Sequence, residues 1–408
     1  MRVASTCVSI APHGTFYMEG YVHPIRMEPA VGIHDDPKAV LLLLEEDGKE
    51  VLFVSLDVCI VSAEGTRLLR EGLSASLGLP GEHIVISSIH SHSCASGFEG
   101  SNGLTDRTSH GYVAMASGRA IEASTGLRAG LVEVRPEIAR THVRGWYSNR
   151  NDKDCPFDDE AFVLRFVAGD EHVAGAMLNF NCHATVVGPL NRLLTTDIIG
   201  GVRAEVAEWV GCVPYTFTGA SADLGNRQYR QGNDFAELCR VSNGVAKEIM
   251  KASFETVELA KPMVRIFEHD VHYNNEDFYA EYRRQLAEVE RVLAGNPSFD
   301  QQKLADTERQ CLMAQFHVHE VNFSIRMVLI DLGEVVLVTF PGELASELGI
   351  RVKSMFHGRV PEIIGYANDY QGYFVPECDF GGTSYESYVT KMPKGWIEDV
   401  LEEFRSWL

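Results

Sequence analysis

Runs of four to six largely apolar residues, many of them β-branched and bounded by Gly, Asp, Asn or Pro, recur at 40–44, 51–56, 83–86, 162–166, 173–178, 214–217, 263–267 and 326–330. Short unbroken runs of this kind predict strands, several of them buried on both faces. Between many of them apolar residues return at three- and four-residue spacing, which predicts helices over 66–77, 197–209, 235–250, 344–355 and 395–407. Strands alternating with helices imply an α/β fold, a central sheet flanked by helices. The segment IRMVLIDLGEVVLVTF reads as two strands joined by a turn at Asp331-Leu332-Gly333-Glu334. That is a β-hairpin, so the sheet is expected to be mixed.

The texture changes over 275–317, which is rich in Glu, Arg, Gln, Leu and Ala and is broken by Gly295-Asn296-Pro297. Two amphipathic helices forming a hairpin are expected there. Such an insertion serves as a lid, as a contact for a homo-oligomer, or as packing on the rim. No repeat, low-complexity tract or Gly/Ser linker divides the remainder, so residues 1–408 are expected to form a single large domain carrying that hairpin.

With 408 residues, 45% of them hydrophobic and 23% charged, the chain can bury a large core. No window approaches the run of about eighteen apolar residues that a membrane span needs, so no transmembrane segment is expected. The formal charge of −21, with no cluster of Lys and Arg, argues against nucleic acid or an anionic membrane as partner and leaves a small-molecule substrate. Nine cysteines without regular spacing argue against a disulfide framework. The opening MRVASTCVSIAPHG lacks the apolar stretch of a secretory signal, and a cytoplasmic location is expected.

In open α/β sheets the ligand crevice lies beyond the carboxyl ends of the strands. Here those ends carry Asp57, His90 with His92, His183, Asp223, Glu343, and Asn368 with Asp369. Several separate segments each ending in a titratable or ligand-type residue point to one assembled site. Residues two apart on an extended segment share a side, so His90 and His92 are expected to face one locus if the strand continues. Two imidazoles and a carboxylate suit zinc, and Glu343 on the tight PGE turn is the best carboxylate.

Five segments, IHSHSCASGF, NFNCHATVVGP, FTGASADLGNR, FPGELASELG and GYANDYQGYFVPECDFGGTSYES, occur in an order that resembles the catalytic domain of the neutral/alkaline ceramidase superfamily. The similarity runs from about Gly20 to Ser387. Members of that superfamily are zinc-dependent amidases. The resemblance implies His90, His183, Glu343 and Tyr385 as zinc ligands, His92 as the neighbouring non-ligand histidine that meets substrate, and Arg150 of SNRN as a substrate or oxyanion contact. Asp223 matches the acid of the family's GDVSP-type segment, whereas Gly225 stands at the place of its serine. Ser221 lies too early to be its direct equivalent but stays open as a neighbouring hydroxyl. The chain ends at Leu408, short of the family's C-terminal β-sandwich domain, and lacks an export signal, so a true ceramidase is not expected.

The expected reaction is hydrolysis of a linear amide in a small N-acyl substrate by a metal-activated water, whose pKa falls from 15.7 toward ~7. His92, with an ordinary pKa of about 6.5, suits acid/base work near neutrality. Arg150 or Tyr385 would stabilise the oxyanion, a contribution of ~3 kcal/mol in other enzymes. Asp57 and Asp223 are expected to accept the free N–H groups of the ligand imidazoles, and Asp197 to cap its helix. An esterase or lactonase using the same site, and a non-catalytic metal- or ligand-binding homologue, stay open as alternatives. Substrate choice is expected to rest on the loops 96–109 and 374–383, where Gly97-Phe98-Glu99-Gly100 and Gly381-Gly382 suggest mobility.

Overall fold

Strand β1 (Arg2–Ser9) pairs antiparallel with β2 (Lys38–Glu46), which reverses at Asp47-Gly48 into β3 (Lys49–Leu56). Both turn residues have positive φ, 50° and 73°, the backbone that a tight two-residue hairpin requires. Helix α1 (Ala63–Leu77) then crosses over to β4 (Ile84–Ser88), which lies parallel to β3. Helix α2 (Tyr112–Ser124) leads to β5 (Val132–His142), β6 (Glu160–Ala168) and β7 (Val173–Asn179), an antiparallel meander. After α3 (Asp197–Val210), β8 (Tyr215–Phe217) joins β7 in parallel, and α4 (Phe235–Ile249) follows. The sheet order is β8-β7-β6-β5-β1-β2-β3-β4, so the fold is mixed α/β. This computed structural model describes residues 1–103, 108–380 and 384–408, so Gly381-Gly382 and part of the 96–109 loop lie outside the described residues.

β5 and β1 pair only through Arg2↔Glu133 and Val3↔Val132, and beyond that point the two halves of the sheet stack on each other. Val40, Leu42, Leu44 and Phe53 meet Phe162, Leu164, Phe166 and Met177 in the shared core. The opposite face of β2–β4, with Leu41, Leu43, Val54 and Ile86, is covered by Leu69 and Leu73 of α1 and Ala116 and Ala120 of α2. On the far side, Val163 and Leu178 pack under Val202, Val206, Val241 and Val245 of α3 and α4. Burial on both faces is why KAVLLLLEE and VLFVSL read as continuous apolar runs rather than alternations.

The described residues group into two compact units, one of Met1–Ile266 with Met327–Tyr370 and one of Phe267–Arg326 with Gln371–Leu408. Two long strands, β9 (Leu259–Asn274) and β10 (Glu320–Gly333), have residues in both. In the first unit β10 turns at Gly333, φ 86°, into β11 (Val335–Thr339), the hairpin anticipated from the sequence, and β12 (Val360–Ile364) lies parallel to β11.

The second unit contains α5 (Tyr279–Ala294) and α6 (Phe299–Gln315), packed on each other through Val289, Ala305 and Leu312. Ser298 and Gln301 form a capping box at the start of α6, which is why the chain restarts a helix directly after Pro297. In the first unit α7 (Ser346–Lys353) follows β11, and in the second α8 (Tyr385–Val389) precedes α9 (Trp396–Trp407), whose Phe404 and Trp407 rest on Phe267. All nine cysteines are free, and no helix among the described residues is long and apolar enough to cross a membrane.

β1, β5 and α2 lie outside the sequence-based expectation. β5, VEVRPEIARTH, alternates half-buried and exposed positions and carries four charged residues, so it has no apolar run to find.

Candidate metal centre

β4 ends at Ser88, and the chain turns sharply to present its two histidines. Ile89 N–H donates to the carbonyl of Leu56, and His90 then takes a left-handed backbone, φ 56°. A turn, not a continuing strand, brings His90 and His92 together, with Nε2 atoms 3.1 Å apart. This corrects the expectation from strand alternation. A left-handed β-substituted residue costs of order 1–3 kcal/mol and persists only where its surroundings hold it. Ser91 bridges to Ala184, and His92 N–H donates to the Ala184 carbonyl, tying this turn to the loop that carries His183.

Both buried imidazoles are oriented through backbone carbonyls. His90 Nδ1 lies 2.9 Å from the oxygen of Cys59, and His183 Nδ1 lies 3.1 Å from that of Ser221. A carbonyl only accepts, so each Nδ1 carries the proton and each Nε2 points inward with a bare lone pair. The two Nε2 atoms are 3.2 Å apart, and each is 3.5 Å from Oε2 of Glu343. Ligands of a tetrahedral zinc at about 2.0–2.1 Å lie roughly 3.4 Å from one another. Two lone pairs and a carboxylate packed at that spacing repel one another unless a cation sits between them, so His90, His183 and Glu343 fit a metal ion.

Burial works against ionisation of Glu343, but His90, Tyr370 and Arg150 outweigh it and hold the carboxyl below its usual range. Burial, the Arg150 charge and the other two imidazoles lower the pKa of His183. Burial, His90, Arg150 and Arg26 do the same for His92. His183 and His92 are therefore neutral, the state a ligand or a proton acceptor needs.

Asp57, Asp223 and Asp197 have other work than the sequence suggests. Asp57 forms a two-pronged ion pair with Arg203, at 2.8 and 2.5 Å, and accepts the Lys38 N–H, tying the end of β3 to α3. Asp223 accepts from Asn149 Nδ2 and from Ser346 N–H, while its carbonyl accepts the Arg150 N–H. It thus joins the Arg150 segment to the start of α7. Neither carboxylate takes the imidazole N–H, because the carbonyls of Cys59 and Ser221 already do. Thr196, not Asp197, is the N-cap of α3. Asp197, φ 51°, instead receives the N–H groups of Val186 and Val187 and so braces the loop after His183.

Several residues at the centre escaped the sequence reading. Tyr366 is fully buried, stacks on His90 with centroids 4.1 Å apart, and bonds Ser221 Oγ at 3.0 Å and Glu343 at 3.5 Å. Tyr370 donates to Glu343 Oε1 at 2.5 Å. Both lie in GYANDY, where the tyrosine spacing is the signal that was available. Arg26, buried although charged, donates to the carbonyls of His92 and Pro189 and to Ser93 Oγ, clamping the His92 turn. Gly20, φ 105°, lies so close to this turn that an added Cβ would fall 2.5 Å from His92 Cα. A lone Arg or Gly in a loop has no periodicity to reveal it. Tyr385 lies in the second unit at the start of α8, its ring edge-on to Tyr373.

No family model matches the chain. The neutral ceramidase of Oryza sativa subsp. japonica is 25% identical over 217 residues, a match covering 48% of this chain and 27% of that protein. The matched part thus spans about a quarter of the relative. The crystal structure of neutral ceramidase from Pseudomonas aeruginosa superposes with a TM-score of 0.75 at 17% identity, over 99% of this chain and 73% of that one. A ceramidase complexed with C2 gives 0.71 at 16% identity, over 95% and 72%. The chain therefore shares the fold of these ceramidase structures, and about half of its length is similar in sequence to the neutral ceramidase of Oryza sativa.

Proposed function

We propose that the chain is a zinc-dependent hydrolase that cleaves a linear amide bond in a small N-acyl substrate. The observation carrying this reading is the convergence of two Nε2 lone pairs and the Glu343 carboxylate at 3.2–3.5 Å. Similarity to neutral ceramidases supports the amide bond as the target. Zinc held by His90, His183 and Glu343 would supply Lewis acidity toward an amide carbonyl and a water acidified toward neutrality.

The chain's own residues divide the remaining work. His92, neutral and half-buried beside His90, takes a proton at Nε2 and returns it to the leaving amine. Arg150, whose charge acts on His92, His183 and Glu343, stabilises the oxygen that gains negative charge. Asp223 positions Arg150 through its peptide group. A phenol is proposed as fourth donor: Tyr385 is the one the resemblance implies, and Tyr370 is the one bonded to Glu343. Nine free cysteines support a reducing, cytoplasmic setting.

The test is metal analysis of protein purified without chelator, followed by assay on a panel of N-acyl amines, N-acyl amino acids, ceramide and matched esters, with His92→Ala as control. One zinc per chain, amide turnover in the wild type, and metal without turnover in His92→Ala are expected. A metal-free wild type, or turnover confined to esters, would overturn the proposal.

A further inference from the structure

His90 belongs to two donor sets. Besides His90, His183 and Glu343, the donor atoms of Cys59, His90 and His92 all lie within 4.8 Å of one another. Cys59 is a free, buried thiol with Sγ 3.9 Å from His90 Nδ1, and its own carbonyl holds that ring. The His92 ring is held at Nε2 by its 3.1 Å contact with His90, while its buried Nδ1 meets no side-chain partner among the described residues. Ion-pairing of Asp57 to Arg203 anchors the segment that carries Cys59.

We propose that Cys59, His90 and His92 form a second, soft-metal position that takes a thiophilic ion such as cadmium. Around zinc, sulfur ligates at about 2.3 Å and imidazole nitrogen at about 2.0–2.1 Å, which places donors roughly 3.6 Å apart, a lower bound for the larger cadmium ion. From spacings of up to 4.8 Å this needs a closure of about 1 Å, within reach of side-chain rotation of Cys59 and His92. Thiolate ligands select soft ions, whereas the set with Glu343 offers two nitrogens and an oxygen. Coordination exchanges the thiol proton for the ion, and the proton leaves to solvent. A soft ion here engages His90 and withdraws it from Glu343. The inhibitory consequence rests on the proposed function; the binding does not.

Metal-free protein is titrated with cadmium chloride while the sulfur-to-cadmium charge-transfer absorption is followed, for wild type, Cys59→Ser and the buried-cysteine control Cys94→Ser. Loss of a direct ligand costs no less than the ~10-fold in affinity that loss of an outer partner costs. The band and tight binding are expected in wild type and Cys94→Ser, with at least that loss in Cys59→Ser. An unchanged band and affinity in Cys59→Ser would overturn the proposal. Should that variant fail to fold, cadmium NMR of the wild type at one equivalent decides: a sulfur-ligated resonance supports the site, a purely nitrogen–oxygen one overturns it. Zinc content and amide turnover of wild type and Glu343→Gln are measured in parallel. If neither holds zinc or turns over, the hydrolase reading falls while the cadmium result stands by itself.

Discussion

His90 and His183 meet Nε2 to Nε2 at 3.2 Å, each with its Nδ1 committed to a carbonyl. Filling that gap with a cation should stabilise the folded chain, since binding only the native state adds ~2.7 kcal/mol at a hundred times the Kd. Chelation is expected to lower the Tm, re-addition of zinc to restore it, and Glu343→Gln to abolish the difference. A Tm indifferent to chelator in a wild type shown to be metal-free would contradict a resident ion.

His92 contacts His90 but belongs to the chemistry, not to the binding of the catalytic ion. His92→Ala is expected to keep the metal and to lower kcat by ~10²–10⁴, the usual worth of a positioned acid or base. Tyr370→Phe removes the hydrogen bond to Glu343 and should weaken metal affinity ~10–100-fold, as loss of an outer partner does. Comparing Tyr370→Phe with Tyr385→Phe by metal titration identifies the phenol that serves the ion.

Gly20 allows the His92 turn to approach its backbone. Gly20→Ala introduces a Cβ 2.5 Å from His92 Cα at a φ of 105°. Turnover should fall while metal content is retained, because the added atom displaces His92 and leaves Glu343 alone. Full activity in a folded Gly20→Ala protein would show that the turn relaxes freely.

The Asp57–Arg203 pair is buried at both ends, 0% and 4% exposed. Asp57→Asn leaves a guanidinium without its counter-charge and is expected to cost about 3–5 kcal/mol in urea unfolding. The double variant Asp57→Leu/Arg203→Met removes both charges and should lose far less. Equal losses would mean that the pair acts only through packing.

Burial raises the Asp197 carboxyl from 3.8 to about 6, against the pull of the Val187, Ile198 and Val186 N–H groups. Its folded value exceeds its unfolded one, so protonation favours the folded state. That contribution is complete below about pH 4 and is lost as pH rises through 6. The unfolding free energy of wild type relative to Asp197→Asn should therefore improve by roughly 1–3 kcal/mol between about pH 7.5 and about pH 5. A flat difference across that window would place Asp197 in ordinary solvation.

Apolar runs with no alternation announced strands covered on both faces, and the hairpin at Gly333 and the helices α1, α3, α4, α7 and α9 followed from turn chemistry and three- to four-residue spacing. These are local patterns, and each is legible because a buried face must be apolar at the period of its own backbone. β5 and α2 escaped, since a half-exposed strand and a helix rich in small residues carry weak versions of the same signal.

At the centre, the strand ends supplied a list of candidates that included both His90 and His92, and the family resemblance named His90, His183 and Glu343 among them, three residues whose donor atoms lie close together in the structure. What joined them was decided only in three dimensions. The left-handed turn at His90, the carbonyls that set both tautomers, the close approach of Gly20 and the clamp of Arg26 all depend on segments tens to hundreds of residues apart. Charge and hydrogen-bond partners are chosen by distance in space. The sequence therefore determined which groups were available for chemistry, while tertiary packing decided which nitrogen faces inward and which carboxylate is spent on holding the frame.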